Sequence, residues 1–102
     1  MLNKVVVALD CMGGDRAPQI VIEGAEQIAS AISRSEFLLF GDATKINPIV
    51  FRCPNLRARS KIIHTDEFIS ADEKPSVALR RGVNSSMRLA IDAVKNQEAS
   101  VA

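Results

Sequence analysis

The chain has 102 residues, the length of one small domain, and its 47% apolar and 25% charged residues exclude a disordered tail. Its 13 basic and 12 acidic residues leave a net charge of +1 and no field to hold a polyanion, so nucleic acid is not an expected partner. No apolar run approaches the roughly 20 residues that span a bilayer, and the short N-terminal run leads at once into Asp10, which does not fit a secretory leader. A cytoplasmic protein is expected, with Cys11 and Cys53 as free thiols, since their spacing is not that of metal ligands.

Val5 to Leu9 is an unbroken, largely β-branched run, the pattern of a strand covered on both faces in a parallel sheet. Asp10 to Ala17 reads as a turn around Gly13-Gly14, after which Pro18 suits a first helical position. Val21, Ala25, Ile28 and Ile32 recur at helical steps and predict one packing stripe on a helix ending near Ser33. Phe37 to Phe40 reads as a second strand closed by Gly41, with Asp42 capping a short helix toward Asn47 that Pro48 bends or restarts. Asn55 to Arg59 reads as a loop, and Lys61 to His64 as a third strand. A less regular stretch from Asp66 to Pro75 leads to Ser76–Arg80. Asn84-Ser85-Ser86 then cap a last helix carrying Met87, Ala90, Ile91 and Val94. Ala99 to Ala102 reads as the start of a fourth strand, so the chain is expected to stop inside a strand, as a truncated domain would. Strands alternating with helices imply a mostly parallel sheet with helices on both sides.

In open α/β sheets ligands gather beyond the carboxyl ends of the strands, which directs attention to Asp10 through Asp15. Gly13 and Gly14 permit a tight turn and close backbone approach, and the helix that follows points its free N–H groups into the same space. That arrangement suits an anion such as phosphate. Asp10 and Asp15 would repel one unless they pair with a cation, hydrogen-bond or handle a proton; the other reading is that both acids only order the turn. A second cluster combines Lys74, Ser76, Arg80, Arg81, Ser85, Ser86 and Arg88, cations and hydroxyls that together can cradle phosphate oxygens. A solvated basic helix with an ordinary serine cap is the competing reading. His64 has no visible partner and receives no role, and Cys11, beside an apolar strand, reads as an inert buried thiol.

The segment Val7-Ala8-Leu9-Asp10-Cys11-Met12-Gly13-Gly14-Asp15-Arg16-Ala17-Pro18 closely resembles the opening signature of the PlsX phosphate acyltransferases. Gly41-Asp42, Lys74-Pro75-Ser76-Val77-Ala78-Leu79-Arg80 and Ser85-Ser86-Met87-Arg88 resemble further motifs of that family in matching order. The resemblance runs over essentially the whole chain, although members of the family are about three times longer. It implies an α/β three-layer sandwich of the type seen in phosphate acetyltransferases and isocitrate or isopropylmalate dehydrogenases, of which residues 1–102 form the N-terminal part. It implies transfer of a fatty acyl group from acyl carrier protein to inorganic phosphate, giving acyl phosphate for phospholipid synthesis, with no cofactor and no metal. A homodimer attached peripherally to the inner face of the membrane is also implied, through later segments.

On this resemblance Asp10, Lys74 and Arg80 are the candidate catalytic residues. Gly13, Gly14, Asp15, Ser85, Ser86 and Arg88 are the candidate phosphate or carrier-phosphate binders. A further Gly-rich motif is expected just past Ala102. Two other readings stand beside this one: a non-catalytic remnant of the same enzyme, and a small phosphate- or nucleotide-binding module.

Overall fold

The computed structural model describes residues 4–14, 16–67 and 85–102. Its three strands, β1 (Val5–Asp10), β2 (Ser35–Gly41) and β3 (Ser60–His64), form one parallel sheet in the order β1-β2-β3. Val7 stands opposite Phe37, and Leu39 opposite Ile62. Four helices accompany them among the described residues: α1 (Gln19–Ala31), α2 (Ala43–Phe51), α3 (Pro54–Ala58) and α4 (Ser86–Lys95).

Because successive strand residues face opposite ways, the apolar strands supply two cores. Phe37, Leu39, Val7 and Leu9 pack with Ile22, Ala25 and Ala29 of α1, Ile46, Ile49 and Val50 of α2, and Leu56 of α3. Ala8, Phe40, Val6, Leu38 and Ile63 meet Ala90, Ala93, Leu89 and Val94 of α4 on the other face. The described residues are thus an α/β unit with helices on both sides of a parallel sheet, as the alternation of patterns predicts.

Beyond β3 the chain reverses its direction across the sheet. Val101 bridges Val7 in parallel on the free side of β1, with Ala8 N–H donating to Val101 O at 2.8 Å and Ser100 N–H to Val6 O at 2.7 Å. The expected fourth strand is therefore present as a single bridge. The strand order turns back at β1, and in such sheets the crevice outside the carboxyl end at that point is where ligands sit.

Several expectations are corrected. The buried stripe of α1 is Ile22, Ala25 and Ala29, while Ile28 is 46% and Ile32 42% exposed. Both sets satisfy helical spacing, and the small alanines win because they let the helix lie close to the sheet. Likewise α4 buries Ala90 and Ala93 and leaves Met87 and Ile91 in solvent. Pro48 does not end α2, which continues to Phe51; its ring is on the exposed side while Ile46, Ile49 and Val50 hold the helix to the core. The expected loop at Asn55 to Arg59 is mostly helix, because Pro54 starts α3 and Leu56 anchors it in the core. Pro18 precedes α1 as its N-cap, through a cis Ala17–Pro18 peptide bond. The expected segment Ser76–Arg80 lies outside the described residues.

Two long-range side chains complete the helix ends. The Arg59 guanidinium donates through Nη1 to Ile32 O at 2.8 Å, Ser33 O at 2.9 Å and Ser35 O at 3.0 Å, and through Nη2 to Ala29 O. It thereby meets the carbonyls at and just beyond the C-terminal, negative dipole end of α1. In the reverse sense Glu26 of α1 accepts from Leu56 N–H at 2.7 Å and Asn55 N–H at 3.4 Å, capping α3 with a carboxylate.

Candidate functional site

The tip of β1 lies between two helix starts, that of α1 beyond the Gly turn and that of α4 across the sheet. Asp10, the last residue of β1, accepts from Met12 N–H at 3.0 Å and from the Ser86 hydroxyl at 2.5 Å, both on Oδ1. The first bond shapes the turn and the second fastens it to α4. Gly13 is required for space, since a Cβ there would stand 2.9 Å from Asp10 Oδ2. Gly14 is required for conformation: its φ of +93° is the region L side chains rarely adopt, and nothing lies within 4 Å of where its Cβ would be. Gly14 thus presents an open backbone at the point where the strand order reverses.

Ser85 and Ser86, both fully buried, serve this junction. Ser85 caps α4 by accepting from Arg88 N–H at 3.2 Å, and Ser86 N–H donates to Glu67 O at 2.9 Å. Arg88, one turn into the helix, extends its guanidinium to Asp92, with Nε 3.1 Å from Oδ1. Asp10, Gly13, Gly14, Ser85 and Ser86 are accordingly gathered at one end of the sheet, although they come from opposite ends of the sequence, whereas the Arg88 guanidinium is turned along the helix to Asp92. Asp15, Lys74 and Arg80 lie outside the described residues.

Burial first, and the adjacent Asp10 charge second, push the Cys11 thiol up to about 12, so it is no nucleophile near neutral pH. Cys53 is also raised, chiefly by burial. Both cysteines are free thiols.

Sequence reasoning missed a second cluster at the same edge. His64, ending β3, accepts from Ala43 N–H through Nδ1 at 3.0 Å, while its Nε2 lies 2.9 Å from Asp66 Oδ1. Asp42 caps α2 by accepting from Thr44 N–H at 3.0 Å, and the Thr44 hydroxyl bond holds its carboxyl below the usual range. The imidazole therefore supplements Asp42 at the start of α2. The signals in the sequence were the strand-end position of His64 and an aspartate two residues on, whereas its other partner, Ala43, is 21 residues away. Among the described residues no three His, Cys, Asp or Glu side chains converge as a metal site, and no helix is long and apolar enough to cross a membrane.

A parallel sheet with helices on both sides, and a Gly-turn and two helix starts at its switch point, defines the α/β class, in which ligands gather at that crevice. Comparison with known proteins narrows the class. The family described as Fatty acid synthesis protein matches residues 5–102, and the chain belongs to it. A phosphate acyltransferase of Bradyrhizobium diazoefficiens is 54% identical over 103 residues, covering 100% of this chain and 29% of the relative. Those of Rhodopseudomonas palustris and Paramagnetospirillum magneticum are 50% and 43% identical, covering 100% and 98% of this chain and 30% and 28% of their own lengths. The chain thus spans less than a third of the curated relatives it matches.

Proposed function

We propose that residues 1–102 are the N-terminal part of an enzyme that transfers a fatty acyl group from acyl carrier protein to inorganic phosphate. The observation that carries this reading is the agreement over the whole chain with proteins named phosphate acyltransferase, joined to a Gly-turn at the sheet's switch point suited to an anion. The fold of the complete enzyme would be the dehydrogenase-like three-layer sandwich that the sequence resembles. The same resemblance supports a homodimer held peripherally at the inner membrane face.

In this reaction a phosphate oxygen attacks the thioester carbonyl, the tetrahedral intermediate collapses, and the carrier thiolate leaves as acyl phosphate forms. Two demands fall on the protein: holding the dianion against the carbonyl, and stabilising the oxyanion. Lys74 and Arg80 supply the positive charge for the first, with Arg88 as a further cation. The Gly13-Gly14 turn offers backbone to the same anion, and Asp15 is a further candidate binder.

The test is a chimera in which this chain replaces the matching segment of the Bradyrhizobium diazoefficiens protein. Phosphate-dependent loss of acyl thioester should appear, and Lys74→Ala or Arg80→Ala should raise the KM for phosphate by about tenfold or more, the loss of a charge-assisted contact. Unchanged phosphate dependence in both variants would overturn the assignment.

A further inference from the structure

The carboxylate of Asp10 is held rather than poised. Oδ1 accepts two hydrogen bonds, from Met12 N–H at 3.0 Å and Ser86 O–H at 2.5 Å, and Oδ2 abuts Gly13 so closely that a Cβ there would displace the carboxylate. Ser86 is fully buried and its hydroxyl proton is directed at Asp10. Its amide donates to Glu67 O at 2.9 Å, so residues 67 and 86 meet at the tip of β1.

We propose that Asp10 is a positioning residue that acts through Ser86, fastening the start of α4, and with it the chain at Glu67, to the Gly13-Gly14 turn, and that it does not itself take a proton in the reaction. The kinetic consequence rests on the acyl-transfer reading; the lock does not. In both hydrogen bonds that Oδ1 makes among the described residues it accepts, and an asparagine amide oxygen can accept in the same two places, though more weakly because it carries no charge. Asparagine should therefore replace Asp10, whereas alanine should free Ser86 and let the two halves of the site drift apart. A general base in the same place would behave in the opposite way, because asparagine keeps the shape and loses the basicity.

The experiment uses the chimera with Asp10→Asn, Asp10→Ala, Ser86→Ala and the double variant Asp10→Ala/Ser86→Ala, measured for kcat, KM for phosphate, pH profile and melting temperature. Asp10→Asn should keep kcat within about threefold and leave the pH profile of kcat in place, since a lost base would cost about a hundredfold or more. Asp10→Ala and Ser86→Ala should each raise the KM for phosphate about tenfold, and the double variant should be no worse than Asp10→Ala alone, the mark of two residues acting as one. Loss of kcat and of one pH limb in Asp10→Asn would overturn the proposal, as would multiplicative effects in the double variant. Should the parent chimera show no phosphate-dependent turnover, the acyl-transfer reading falls. The melting temperatures then decide the lock: non-additive shifts support it and additive shifts overturn it.

Discussion

Cys11 follows β1 without solvent exposure, and its thiol stays protonated until the pH rises toward about 12. Iodoacetamide near neutral pH should therefore leave Cys11 unmodified in the native chain and label it only in denaturant, as read by peptide mass spectrometry. Rapid native labelling would show that the turn opens. The inert character of this thiol was legible from the apolar run before it. By contrast, the bonds of His64 to Ala43, of Glu26 and of Arg59 were not: each joins positions 21 to 30 residues apart, and a single sequence carries no record of which polar groups meet. The same holds for Asp10 and Ser86, 76 residues apart, both picked out as site residues without any hint that one holds the other.

At the scale of elements, local chemistry located the starts and the spacing found part of each buried face: Ala25 and Ala90 are buried and Val21 and Val94 pack against the cores, while Ile28, Ile32, Met87 and Ile91 are exposed. Asp42 and Ser85 cap the helices they were expected to cap, because a side-chain oxygen next to a free N–H is a local matter. Which stripe is buried is decided by the partner surface, and here the sheet accepts alanines at 25, 29, 90 and 93 while isoleucines 28 and 91 face outward. Ala93→Leu should consequently cost about 2 kcal/mol of stability by overpacking, whereas Ile91→Ser should change it by less than about 0.5 kcal/mol. Urea unfolding of the two variants checks the ordering, and a larger loss for Ile91→Ser would contradict the assigned face. The end of α1 gives a second test. Arg59→Ala removes hydrogen bonds to the carbonyls of Ala29, Ile32, Ser33 and Ser35 and should cost about 2 kcal/mol. Lysine should restore little, since one ammonium cannot span the carbonyls that a planar fork reaches. Full restoration by Arg59→Lys would show that charge alone is at work.

For the molecule as a whole, alternating strand and helix patterns were enough to foresee a parallel sheet covered on both faces. They did not say that Val101 joins β1 on the side away from β2, which makes β1 the switch point and puts a run of Asp and Gly at its carboxyl end. Membership of the family was legible in the Asp10 to Pro18 signature, and the match over residues 5–102 establishes it. The reaction belongs to a protein more than three times as long as this chain, to judge by the 29% of the relative that it covers.

The identity of the acyl acceptor tests the account most directly. The chimera would be given acyl carrier protein loaded with a fatty acyl group, together with phosphate labelled with ¹⁸O, and the product's mass would be read. The account predicts acyl phosphate retaining the labelled oxygens, formed at a rate that saturates with phosphate. Unlabelled fatty acid released at a rate indifferent to phosphate would mean that water is the acceptor, and would contradict it.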